Sequence, residues 1–346
     1  MFKKRYLIIM AVLLTFMLGI TGCSSTQSTQ STEPASGDEQ TQAVNYPTKP
    51  IKLVITHGPG SGTDIIARIM QPFLQKELGQ PVVVENMEGA GGRLARATVF
   101  KEKNDGYTLL VTNFPSTQLG ELLYKGDYKT SEFTPIYSFV GSEAYFVLYV
   151  AQDSPFKTLK DMVDASQKKP VTLGVPGLGS GAHLAAALFK EKAGLKADLV
   201  PFDAAQVLLN VAGKQIDGGT DTGDGVAAEN GKRIRVLTQA SDSGRSPLYP
   251  DVMTTAENGY PGMELANSTC LLAPPNTDQA IVDVLVAAME KVAANPEYIA
   301  NAEKAGYIPC ALGPDEVKKM NDDMMANLQE IVPTMLKEME SSGQTN

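Results

Sequence analysis

The sequence predicts an α/β protein folded as two lobes around a ligand cleft. Three observations predict it. Short apolar strands alternate with amphipathic helical patterns, the alternation comes in two separate series, and each series carries a glycine-rich loop between a strand and a helix.

The first series opens with "IKLVIT", residues 51–56, a short apolar strand. The loop "HGPGSGTD", 57–64, follows it. Ile65, Ile66, Ile69, Phe73 and Leu74 then fall at helical spacing until Gly79 ends the helix. Pro72 lacks a backbone donor, so a kink or break is expected there. "PVVVEN" is the second strand, "EGAGG" a second glycine loop, 93–103 a helix, Asp105-Gly106 a turn, and "YTLLVTN" the third strand.

The second series begins at "YFVLYV", 145–150. A "DSP" turn leads to a helix over 159–167, then strand "VTLGV" and the glycine loop "PGLGSGAH", 176–183. Helix "LAAALFKEKAG", strand "DLVPF", a helix over 204–212 and strand "IRVLTQA" complete it. From residue 276 the pattern is nearly all helical, with "GYIPCAL" as a candidate last strand. The tail is expected to return to the first lobe, giving lobe 1 as 46–145 plus 268–346 and lobe 2 as 146–267. Ligands in open α/β sheets sit beyond the carboxyl ends of strands, where both glycine loops fall.

The N-terminus addresses compartment. Lys3, Lys4 and Arg5 precede an apolar run over 7–20 and small residues leading into Cys23. The run is shorter than the roughly 20 residues of a membrane span, so 1–22 is expected to be a signal peptide. The order of charge, apolar core and small residues before Cys23 resembles the lipobox of bacterial lipoproteins, which implies a lipidated Cys23 and a membrane anchor. Residues 23–45, rich in Ser, Thr and Gln, bury too little to order and are expected to be a flexible tether. The net charge of −9 argues against a nucleic-acid partner. Cys270 and Cys310 are the remaining cysteines, with no C-x-x-C, and either a disulfide or two buried thiols fits them.

Three chemistries are weighed against plainer roles. Gly58, Gly60 and Gly62 imitate a dinucleotide fingerprint, but Thr63 stands where the third glycine belongs, and an export signal argues against a nicotinamide cofactor. Ser180 and His183 could serve an exported hydrolase. Ser180 is better placed as a helix N-cap with His183 in the first turn, and no G-x-S-x-G elbow is present. Asp217, Asp221 and Asp224 lack the spacing of a calcium loop, and a polar cleft lining suits them better. Neither catalysis nor a cofactor or metal is expected.

"YPTKPIKLVITHGPGSGTDIIARIM", "LGQPVVVENMEGAGG", "DGYTLLVTN", "SPFKTLKDMV", "GSGAHLAAALF", "GKQIDGGTD" and "LLAPPNTDQAIVDVLVAAMEKV" resemble, in order and spacing, the substrate-binding proteins of tripartite tricarboxylate transporters, the Bug-type extracytoplasmic receptors. The resemblance runs from Tyr46 to beyond Asp315. It implies a periplasmic-binding-protein-like (type II) fold, two α/β lobes joined by crossing strands, that closes on a small organic carboxylate and delivers it to the small and large membrane subunits of a permease. A receptor that signals rather than transports is the alternative within that reading. The resemblance implies ligand contacts from Gly60, Ser61, Gly62, Thr63, Asp64, Asn113, Gly179, Ser180, His183 and Asp221. "THGPG" departs from the usual first loop and places His57 near the cleft. Asp203, Ala204 and Ala205 replace a usual glycine-rich segment.

These loops contain no Lys or Arg. A carboxylate there is expected to be held by N–H groups, hydroxyls and helix N-termini. The surplus of aspartate over base favours a carboxylate that also carries a donor or cation, as an amino acid does.

Overall fold

The computed structural model describes residues 44–124 and 127–341. The expected signal peptide, Cys23 and the tether up to residue 43 lie outside them. The first series forms β1 (Ile51–Ile55), α1 (Gly62–Leu78), β2 (Val82–Asn86), α2 (Arg93–Phe100), β3 (Thr108–Phe114) and α3 (Ser116–Leu123). An 18-residue strand, β4 (Thr134–Ala151), follows. The second series forms α4 (Leu159–Ser166), β5 (Val171–Pro176), α5 (Gly181–Lys192), β6 (Ala197–Phe202), α6 (Ala204–Ala212), β7 (Gly218–Thr222), α7 (Gly223–Ala227) and β8 (Ile234–Gln239). The chain closes with β9 (Ala266–Ala273), α8 (Gln279–Ala293), α9 (Pro296–Lys304), β10 (Pro309–Leu312) and α10 (Pro314–Ser341).

Two sheets result, sharing β4. In the first, β2, β1 and β3 are parallel, β9 runs antiparallel to β3, and the early half of β4 lies between β9 and β10. In the second, the late half of β4 pairs with β7 and β8, and β5 and β6 extend the sheet in parallel from β7. The β4–β9 register shifts between Val140 and Ala144, where the strand leaves one sheet for the other. This is the expected architecture of two lobes joined by crossing strands.

Each sheet is packed on both faces. On one face of the first sheet Leu53 and Val111 meet Ile66, Met70 and Leu285, while Val54 and Leu110 meet Val99 and Phe133 on the other. In the second sheet Leu148 and Leu173 meet Leu184 and Leu188, and Val147 and Tyr149 meet Val207 and Val226. Alternation along β4 divides these partners, since successive side chains point to opposite faces.

Two expectations change, and the open choice between a disulfide and free thiols is decided. α1 runs unbroken through Pro72, which is exposed, so the carbonyl left without an intrahelical donor faces solvent on the same side of the helix. The tail does not return wholly to the first lobe: Leu328, Val332, Met335 and Met339 of α10 pack into the core of the second sheet. Cys270 and Cys310 are free thiols. They sit on β9 and β10, on opposite sides of β4, which separates their backbones by about two strand spacings, roughly 9–10 Å, beyond disulfide reach.

Candidate functional site

The strand ends and helix starts of both sheets converge on one small cavity of about 30 Å³. Ser61, Gly62, Thr63, Asn113, Ser180 and Asp221 line it, joined by His57, Ser116, Ala204, Thr222 and Asn267. A larger groove of about 360 Å³ runs beside α10, but its walls are mainly apolar and neither of the two glycine loops reaches it.

The cavity wall is built by capping. Ser61 caps α1, its hydroxyl accepting from Asp64 N–H at 3.3 Å. Ser180 caps α5, accepting from His183 N–H at 3.1 Å. Thr222 caps α7, accepting from Gly225 N–H at 3.3 Å. Ser116 and Ala204 open α3 and α6. The positive ends of these helices therefore face one point, which suits an anion.

Side chains from both lobes are wired together at that point. Thr63 donates to Asn113 Oδ1 at 2.5 Å, Asn113 Nδ2 donates to Asn267 Oδ1 at 3.2 Å, and Asn267 Nδ2 lies 3.4 Å from Asp224 Oδ2. Gly181 N–H donates to Ser116 Oγ at 3.0 Å, and Tyr307 donates to the Gly62 carbonyl at 2.7 Å.

Four of the expected contact residues do not line the cavity: Asp64, Gly179 and His183 are buried behind its wall, and Gly60 is exposed in the first loop. Asp64 is buried, and its carboxylate accepts from Gly60 N–H at 2.9 Å, Arg68 Nε at 2.9 Å and Asn86 Nδ2 at 2.8 Å. Burial pushes its carboxyl up, but these bonds outweigh burial and hold it below the usual aspartate range. It braces the first loop, with Gly60 at a positive φ of 80° that a side chain would strain. His183 is fully buried: Nδ1 accepts from Gly179 N–H at 3.2 Å and Nε2 lies 2.8 Å from Glu338 Oε2. The Ser180 hydroxyl donates instead to the Gly177 carbonyl at 3.0 Å. The imidazole and the hydroxyl do not form a catalytic pair, because each is spent on its own structural partner.

The titratable groups at the cavity are shifted toward neutrality. Burial, with a contribution from the charge of Arg96, lowers His57 to about 4, so the imidazole is neutral, and Thr56 Oγ1 lies 3.0 Å from its Nδ1. Burial raises Asp221 to about 7, against the Thr222 N–H bond to its Oδ1 and with help from Asp224. Burial also raises Asp224, to about 6. Among the described residues no cluster of three or more His, Cys, Asp or Glu could hold a metal ion.

His57, Ser116 and Asn267 were reachable from sequence to different degrees. The "THGPG" departure flagged His57, and "TNFPSTQL" after the third strand, which departs from the smaller residues usual in the family it resembles, holds Ser116, whereas Asn267 sits in a segment with no strand or glycine-loop signal.

Similarity to known proteins agrees with this geometry. The description "Tripartite tricarboxylate transporter family receptor" matches residues 66–335. A UPF0065 protein from the tcbD-tcbE intergenic region of Pseudomonas sp. (strain P51) is 31% identical over 79% of this chain and 82% of its own. BugT of Bordetella pertussis is 29% identical over 80% of this chain and 86% of its own. The structure of R. palustris Rpa4515 with adipate superposes with a TM-score of 0.78 at 25% identity, covering 84% of this chain and 98% of that one. Proteins of this kind bind substrates and are not enzymes, in keeping with the separated Ser180 and His183. The chain belongs to the tripartite tricarboxylate transporter receptor family.

Proposed function

We propose that this chain captures a small organic carboxylate in the cleft between its two sheets and delivers it to the small and large membrane subunits of a tripartite permease. It would act outside the cytoplasm, anchored through a lipid on Cys23 and tethered by residues 23–45. Lobe 1 would comprise 46–145 with most of 268–346, lobe 2 would comprise 146–267, and α10 would span both. The observation that carries the reading is the convergence of capped helix starts and neutral donors from both lobes on one cavity. Rpa4515, a relative of the same fold, was solved with adipate, which supports a carboxylate cargo.

Ser61, Gly62, Thr63, Asn113, Ser180 and Asp221 are the proposed contacts. Several neutral hydrogen bonds of about 1 kcal/mol each, added to helix-terminus interactions, can reach micromolar affinity after association costs. The raised Asp221 favours a cargo with a hydroxyl or ammonium beside its carboxylate, because a carboxylate that ionises near neutrality rewards a donor. A thermal-shift panel of mono-, di- and tricarboxylates and amino acids against the full-length protein tests this. Stabilisation by hydroxy- or amino-carboxylates above their unsubstituted parents is expected. A folded protein that responds to none of them, and from which denaturation releases no carboxylate detectable by mass spectrometry, would refute the reading.

A further inference from the structure

The first loops carry no base, yet a positive charge lies one layer beneath them. Arg96 of α2 is 1% exposed, among the largest fully buried side chains. Its Nε donates to Thr112 Oγ1 at 3.1 Å, and the Tyr128 hydroxyl lies near its charge. Its Nη2 has no hydrogen-bond partner. The acids near Tyr128 are engaged elsewhere: Glu121 accepts from Thr130 N–H at 2.7 Å, and Asp127 pairs with Arg93 at 2.8 Å.

The guanidinium occupies a built position. A Cβ on Gly92 would come 2.8 Å from Nη2, and one on Gly120 would come 3.3 Å from Nη1, so two glycines make its room. Thr56 and Thr112 flank it, and the residues after them, His57 and Asn113, line the cavity. Thr112 and Thr117 hydroxyls lie 2.8 Å apart, and Thr117 donates to the Asn113 carbonyl at 2.8 Å. The charge is felt at the cavity, because it helps lower His57.

A buried cation without an acid is costly and needs a compensating anion. We propose that Arg96 is the fixed charge that favours an anionic cargo, acting across the Thr56–His57 and Thr112–Asn113 layer rather than by touching it. The inference rests on the carboxylate reading and adds the source of its charge preference. It also orients the cargo, with a carboxylate toward the first sheet and its donor toward Asp221 of the second.

Hydrogen bonding alone gives Arg96 a purely structural role, and the two roles separate in Arg96→Met. Thr112 and Tyr128 keep other partners without it, since Tyr128 donates to the Thr117 carbonyl at 2.8 Å. The unliganded variant should therefore melt no lower than wild type. Across roughly 10 Å at an effective dielectric of about 20, one charge on the ligand corresponds to about a tenfold change in affinity.

The experiment is calorimetric titration of the full-length wild type, Arg96→Met and Arg96→Lys with malate, adipate and the half-amide of each. In Arg96→Met we expect the diacids to bind at least tenfold more weakly, the half-amides to lose less, and Arg96→Lys to recover most of the affinity. A folded Arg96→Met that binds diacids as wild type does, or that weakens acids and half-amides equally, overturns the inference and leaves the carboxylate reading standing. If Arg96→Met does not fold, Arg96→Gln decides: a folded Arg96→Gln that binds diacids as wild type does overturns the inference, and a loss for diacids that exceeds the loss for half-amides supports it. Wild type that binds no carboxylate at all overturns both.

Discussion

Asp221 and Asp64 are both aspartates of cleft loops, and their surroundings push them in opposite directions. Asp64 is held down by Arg68, Gly60 N–H and Asn86, whereas Asp221 has one backbone donor and a second acid for company. A carboxyl raised from 3.8 to about 7 on folding stabilises the fold fully below pH 4, and that contribution is lost as pH rises through about 7. Asp224 adds to the loss over a window ending near 6. Melting should therefore fall between pH 5 and 8, and Asp221→Asn should flatten the fall by roughly 2 kcal/mol, allowing for the partial exposure of the group. Denaturant unfolding at both pH values measures it, and an identical slope in the variant would exclude Asp221 as the source. The sequence showed the aspartates as a set; their division into a brace and a near-neutral wall group depends on Arg68 and Asn86, which only the fold brings to Asp64.

Among the elements, α10 has a job that its amphipathic pattern does not announce. Its Asn321 accepts from Gln118 of α3 at 2.9 Å, while Glu338 meets His183 and Lys190 of α5, so one helix ties the first lobe to the second. His183→Ala should lower stability by about 2–3 kcal/mol, since it strands buried hydrogen-bonding groups, and leave carboxylate affinity within about twofold. Paired denaturation and titration experiments check this, and a large affinity loss with unchanged stability would return His183 to the cavity wall. The strands that alternate with helices were legible because their apolar runs are short and bounded by glycine. β9 was not, because it begins "ANST": Asn267, Ser268 and Thr269 are each 1% exposed, buried by the crossing of the two sheets rather than by their own hydropathy. The early half of β4 was missed although Ile136, Tyr137, Phe139 and Val140 are apolar and buried in the core of the first sheet, because Thr134, Pro135, Ser138 and Gly141 interrupt the apolar run.

For the molecule as a whole, the approach of the two lobes is set by glycines. A Cβ on Gly62 would come 3.1 Å from the Gly225 Cα, and one on Gly91 would come 2.5 Å from the Leu178 carbonyl oxygen. The lobes therefore meet backbone to backbone, and the small cavity follows from that closeness. Gly62→Ala adds a methyl without a demand for positive φ and should bias the unliganded protein toward an opened arrangement. Small-angle scattering should show a larger radius of gyration, and affinity should fall several-fold in proportion to the closed fraction. An unchanged radius and affinity would show that the contact does not govern closure.

The 18-residue strand β4 has a further consequence, for ancestry and engineering. Both sheets hydrogen-bond to the same continuous segment, so neither half can be excised, transplanted or expressed alone without cutting a strand from the interior of the other. New cargo preferences in this architecture cannot come from exchanging halves between relatives. They have to come from substitutions in the loops and in the layer just beneath them, while the shared strand is inherited whole.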